Sequence, residues 1–228
     1  MEKFTPPDFW GFEVKKRKLT RDEKKARRDL EKSFQAEFKK QSKAAGWSYL
    51  KPTAFKRMGE WFVGLNPIIW TDAKRAQLQV TVKPYDLDDL MSRILGFGGL
   101  DGSPLSLRTR GPHALVVPIW SHNIESEGDL DKMLSNSTEF IDEVPSKLAT
   151  LSLDDFIKFV ATGGPANSVS YNHVAALILA KHPGEAHALC QQAIASKQWG
   201  GPARMTESGQ IIGFFELTKQ WLEEHEQT

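Results

Sequence analysis

The stretch AQLQVTVKPYDLDDLMSRILG, residues 76–96, changes period halfway along, and that change decides the fold class. Leu78, Val80 and Val82 alternate with Gln77, Gln79 and Thr81, the two-residue period of a strand. One face is apolar and the other polar, which predicts a strand of an antiparallel sheet with one side buried and one side wet. Pro84 disfavours helical backbone at Lys83, so the strand is expected to end there. From Leu87 the spacing becomes helical, with Leu87, Leu90, Met91, Ile94 and Leu95 forming one apolar stripe. Asp86 is then the expected N-cap, and Asp89 the third helical residue of a capping-box-like pair. The adjacent carboxylates Asp88 and Asp89 are read as the start of a helix, where its dipole favours negative charge, rather than as a metal-binding or acid–base pair. No nearby histidine completes a ligand set. Gly96 should close the helix.

Upstream, residues 1–19 carry Pro6-Pro7 and the basic run Lys15 to Lys18 and read as an irregular basic arm. Thr20 and Glu23 make a capping box that opens a helix running to about Ala45. Its stripe, Ala26, Leu30, Phe34 and Phe38, is narrow, and lysines and arginines cover much of the rest. Across residues 47–83, aromatic and β-branched residues are interrupted by Gly59, Gly64 and Asn66-Pro67, which predicts short strands and turns.

Downstream, SPLSLRTR (103–110) and HALVVPIW (113–120) are candidate strands, and Pro118 places the second at an edge or a bulge. After residue 124 the spacing is helical near 128–135, 138–149, 153–161, 170–182, 184–197 and 208–225, with Pro183 at a first helical position. The chain is therefore expected to be α+β: an N-terminal helix, a small antiparallel sheet and a helical C-terminal part. The expected division is an arm at 1–19, an α+β domain at 20–122 and a helical region at 123–228 packed on it.

A chain of 228 residues can bury a sizeable core. One cysteine, Cys190, forms no intrachain disulfide and fits a reducing compartment, and no apolar run is long enough to span a membrane. The N-terminus lacks the apolar segment of a signal peptide, so a cytoplasmic location is expected. The net charge of +1 conceals an asymmetry. Residues 1–45 hold 14 Lys and Arg against 8 Asp and Glu, whereas residues 121–228 hold 7 against 15. Such ends attract each other or charged partners.

Signatures of chemistry are missing. The GFGG run, residues 96–99, closes a helix, whereas a phosphate loop opens one. Glu125, Glu127, Asp129 and Asp131 alternate, but counting from Glu125 puts Leu130 and Asn136 where a calcium loop needs Gly and a carboxylate. His187 and Cys190 lie one helical turn apart, yet Cys190 shares a stripe with Ala186, Leu189, Ala193 and Ile194, as a buried structural cysteine does. No cofactor, metal site or catalytic residue is expected.

The runs GEWFVGLNPII, VTVKPYDLDDLMSRILG and PLSLRTRG resemble small uncharacterised bacterial domains of unknown function, some of which resemble immunity (antidote) proteins encoded beside toxins. The resemblance spans about residues 30 to 120, rests on apolar pattern and the KPxxLDDL segment, and implies a binding protein rather than an enzyme. The expected function is thus a cytoplasmic immunity protein that neutralises a protein toxin by direct binding through Glu125, Glu127, Asp129, Asp131, Asp142 and Glu143, acids that would suit a cationic toxin. One alternative is a nucleic-acid-associated protein using Arg27, Arg28, Lys39 and Lys40 of the basic helix. Another is an enzyme whose site gathers Arg108, Arg110, His113 and His122 around the sheet, the two arginines alternating on one strand.

Overall fold

In the computed structural model the described residues are 20–70, 75–110, 117–125, 141–162 and 168–225; the arm at 1–19 and the helix expected near 128–135 lie outside them. Thr20 opens α1 (Arg21–Ala44) as expected. The Glu23 N–H donates to the Thr20 hydroxyl at 3.2 Å, and the Thr20 N–H donates to the Glu23 carboxylate at 2.8 Å. The helix buries Phe34, Phe38 and Ser42, while Leu30 is half-buried and Ala26 exposed. Its fully buried residues all lie in the C-terminal half.

Five antiparallel strands follow in the order β1 (Ser48–Leu50), β2 (Thr53–Met58), β3 (Trp61–Trp70), β4 (Arg75–Pro84) and β5 (Val117–Glu125). Gly59 lies in the β2–β3 turn, but Gly64 and Asn66-Pro67 do not break β3, contrary to the sequence reading. Two physical reasons account for this. A Cβ on Gly64 would come within 2.7 Å of the Thr81 hydroxyl, so the missing side chain makes room for a neighbour within the sheet. β2 pairs with β3 only as far as Leu65, so Pro67 faces β4 on one side and, among the described residues, has no partner strand on the other. Pro118 behaves as expected: β5 is an edge strand, and the register skips Ile119 between Trp120 opposite Val80 and Pro118 opposite Thr81.

The other candidate strand, 103–110, is a correction. Its end forms a single helical turn, α3 (Leu107–Arg110), after α2 (Leu87–Ile94) and a glycine-rich loop. Gly96 ends α2 with φ +77°, and Gly96 and Phe97 donate their N–H groups to the carbonyls of Arg93 and Ser92. A helix at 141–148, here α4, leads to α5 (Leu153–Thr162), α6 (Tyr171–Leu179) and α7 (Pro183–Ala195). The helix expected from 208 begins later, as α8 (Phe214–His225), because β6 (Ala203–Met205) and β7 (Ile211–Gly213) first form a hairpin.

Two apolar cores result. One joins Phe34 and Phe38 of α1 and Ile141, Val144 and Leu148 of α4 to Ala54, Val63, Leu65, Leu78, Val80 and Val82 on one sheet face. The other unites α2 with α5 to α8, around Met91, Phe156, Val174, Cys190, Phe214 and Leu217. Trp61 packs against both.

Candidate functional site

The second face of β4 is not wet along its length. Gln79 is half-exposed, but Thr81 and Lys83 are buried, Lys83 completely. Across the sheet that face carries Phe62 opposite Lys83 and Phe55 opposite Gly64. The two rings stack with centroids 6.0 Å apart, and the Lys83 ammonium lies 5.2 Å from the Phe62 centroid. A polar ladder continues the face: Thr53 donates to Asn66, Asn66 to the Thr81 hydroxyl, and Thr81 to the Gly64 carbonyl.

Lys83 does not stand alone. Its Nζ donates to Asp88 Oδ1 at 2.7 Å and to the Arg108 carbonyl at 2.9 Å, and lies 2.6 Å from Asp88 Oδ2. The first turn of α2 and the turn α3 therefore close this end of the sheet. Asp88 is only 2% exposed, so reading it as no more than the start of a helix is corrected. It is the buried counter-ion of Lys83. Burial pulls the Lys83 ammonium down to about 8 and pushes the Asp88 carboxyl up, each against the attraction of its partner. Desolvation outweighs attraction on both sides, as is usual for a pair sealed from water.

Asp86 is the N-cap residue of α2 and Asp89 its third helical residue, as expected, but Asp86 makes no side-chain capping bond, so the capping-box-like pairing is corrected. Asp89 instead accepts from Arg93 Nε at 2.7 Å and from the Leu100 N–H at 2.6 Å, tying the glycine-rich loop to α2. Arg108 and Arg110 lie on one helical turn, not alternating on a strand. The Arg108 side chain is buried, its Nη1 has no hydrogen-bond partner, and its guanidinium stacks on Tyr85 at 4.1 Å. Arg57 stacks on the same ring at 3.7 Å, necessarily on the opposite face. His113 lies outside the described residues, and His122 stands in β5 in register with Leu78. Arg108 is thus held against Tyr85 and does not stand beside Arg110 on a strand face, the arrangement on which the enzyme reading rested.

Beside Tyr85 is a cleft of about 350 Å³, lined by Glu60, Trp61, Pro84, Tyr85, Asp86, Leu151, Leu153 and Leu179. The Tyr85 N–H donates to the Glu60 carbonyl at 2.7 Å, which locks the β2–β3 turn to the β4–α2 turn and sets Glu60 and Asp86 on one rim. Both residues are exposed, and neither carboxylate has an ion-pair or hydrogen-bond partner among the described residues. Sequence reasoning missed this cleft and the buried pair. A signal was present in Phe55 and Phe62, whose parity puts two rings on the face that β4 by itself presents as polar.

Of the six expected partner-binding acids, Glu127, Asp129 and Asp131 lie outside the described residues, and Glu125 ends β5 in register with Arg75. Asp142 and Glu143 are exposed on α4, Glu143 within 3.4 Å of Lys147. On α1, Arg28, Lys39 and Lys40 are exposed and Arg27 half-buried; Lys40 reaches Glu37, and Lys39 lies 5.9 Å from the Tyr49 centroid. Cys190 is fully buried, which pushes its thiol up to about 12, away from nucleophile chemistry, and His187 faces Glu223 of α8 at 3.6 Å. Among the described residues no three His, Cys, Asp or Glu side chains gather as a metal site requires, and no helix is long and apolar enough to cross a membrane.

Comparison with known proteins returns no match among family models, curated proteins or solved structures.

Proposed function

We propose that the chain acts by binding another protein, most concretely as an immunity protein that blocks a bacterial toxin, without catalysis of its own. The observation that carries this reading is the setting of Asp142 and Glu143. They project from α4 into solvent while Ile141, Val144 and Leu148 anchor its other side in the sheet core. Acids on a fixed helix keep their geometry, which suits steering and docking of a cationic partner. Two further features support the reading. The strongly perturbed pair Lys83–Asp88 is sealed and bonded internally, leaving no open face for a substrate. Residues 121–228 also carry 15 acids against 7 bases. A growth assay tests the proposal: the chain is co-expressed with the toxic product of a neighbouring gene in its native genome. Protection is expected, together with its loss on charge reversal in Asp142→Lys/Glu143→Lys. Absence of any toxic neighbour, or protection untouched by the double change, overturns it.

A second reading rests on α1, which exposes Arg28, Lys39 and Lys40 and buries only Phe34, Phe38 and Ser42. If that helix binds nucleic-acid phosphates, affinity falls steeply with salt and vanishes on reversing Arg27, Arg28, Lys39 and Lys40. Salt-independent binding, or none at low salt, rules it out.

A further inference from the structure

The cleft between the two cores has the chemistry of a side-chain receptor. Its floor and walls are apolar: Trp61, Pro84, Leu151, Leu153 and Leu179. Its rim bears two carboxylates, Glu60 and Asp86, without counter-ions among the described residues. The cations nearest to Tyr85 do not neutralise them. The Arg57 Nε donates to the Gly59 carbonyl at 3.1 Å, and Arg108 is buried with its Nε directed to the Tyr85 carbonyl at 3.5 Å. Lys83 is held by Asp88. Apolar walls with an acidic rim suit a long aliphatic stem that ends in a cation. Among such groups the guanidinium fits best. It is planar, presents a fork of donors to two carboxylates and stacks on an aromatic surface. Both faces of Tyr85 are already occupied by arginines, so Trp61 is the aromatic surface left for it.

We infer that this cleft receives an arginine side chain of the partner protein, a proposal that rests on the binding reading above and names its chemistry. The walls have the rigidity for it: Trp61 packs against Phe156 with centroids 6.0 Å apart and pairs with Pro84 in the sheet, and the Glu60–Tyr85 backbone bond sets the rim.

The test uses the full chain and N-acetyl-arginine amide as the probe, followed by backbone and Trp indole NMR shifts. Saturable shifts are expected at Trp61, Tyr85 and Asp86. N-acetyl-citrulline amide, of the same shape without the charge, should bind at least about tenfold more weakly, since charge-assisted hydrogen bonds are lost. Glu60→Gln/Asp86→Asn changes only exposed carboxylates and should abolish the shifts, while Asp142→Asn/Glu143→Gln should leave them in place. Equal binding of citrulline, shifts unmoved by the rim variant, or no saturation overturns the cleft. The two readings fail separately. A probe that binds beside a chain that protects against no toxin retains the cleft and removes the immunity role. Protection that survives Glu60→Gln/Asp86→Asn removes the cleft and retains the role.

Discussion

Asp88 and Asp89 are neighbours in sequence, both in the first turn of α2, and both form an ion pair. Asp88 meets Lys83 where both side chains are sealed, 2% and 0% exposed. Asp89 meets Arg93, whose side chain is half in water, and also holds the Leu100 N–H. The difference is one of helical phase: a step of about 100° separates the residue aimed at the sheet from the one aimed at the loop. It shows that the worth of a charge here is set by its surroundings and not by its partner. In the interior, removing one member strands the other without solvent. At the surface, water and salt replace whatever is lost.

The largest expected effect breaks the interior pair on one side only. Asp88→Ala should destabilise the protein by about 3–5 kcal/mol, because Lys83 is left buried and uncompensated. Lys83→Met/Asp88→Leu should fall close to the parent chain in the same urea titration, because it removes both charges together. If Asp89→Ala costs as much as Asp88→Ala, burial is not what separates the two pairs. Close behind comes Phe34→Ala, expected to cost about 3–4 kcal/mol, since Phe34 is 1% exposed and stacks on Phe38. A loss well under that figure would mean that α1 is held mainly by its charges.

The third effect is a slope. Folding lowers the Lys83 ammonium from its ordinary 10.5 to about 8. Between those values the unfolded chain holds a proton that the folded one has released, so stability rises with pH across that window and is lost as pH falls through about 8. Burial of Cys190 acts in the opposite sense above its ordinary 9.0. The comparison is therefore made against Lys83→Met/Asp88→Leu, in which Cys190 is unchanged. Relative to that variant, the parent chain should gain stability between pH 8 and pH 10. A flat difference would show that Lys83 keeps its ordinary proton affinity in the fold. Smallest of all, Lys39→Ala and Lys40→Ala should each change stability by less than about 0.5 kcal/mol in thermal melts. A larger loss from either would mean that the basic face of α1 supports the fold.

Much of this architecture is legible in residue order. The capping box at Thr20 and Glu23, the apolar side of β4, the α2 stripe, the Gly96 stop, Pro183 and the edge position of Pro118 each follow from local rules. What escaped was set by neighbours distant in sequence. β4 taken by itself shows a polar face; only pairing with Phe62, and through it with β2, turns that face inward. Gly64 reads as a break until Thr81 occupies the space it leaves. Residues 107–110 alternate like a strand, yet close as one helical turn against Tyr85 and Lys83. The cleft was the least legible feature. Glu60 and Asp86 are brought to one rim by a turn-to-turn hydrogen bond between segments some 25 residues apart.

The position of α2 bears on how the molecule comes apart. Its apolar stripe belongs to the helical core, while Asp88 in its first turn neutralises a lysine that belongs to the sheet. Melting the helices while the sheet persists would withdraw Asp88 and open the sealed end around Lys83. Melting the sheet first would uncover Asp88 in the same way. Either half-unfolded state gives up the ion pair and exposes apolar surface at the seam, where Trp61 packs against both cores. Neither core keeps its full burial without the other, which biases the molecule towards a single cooperative transition.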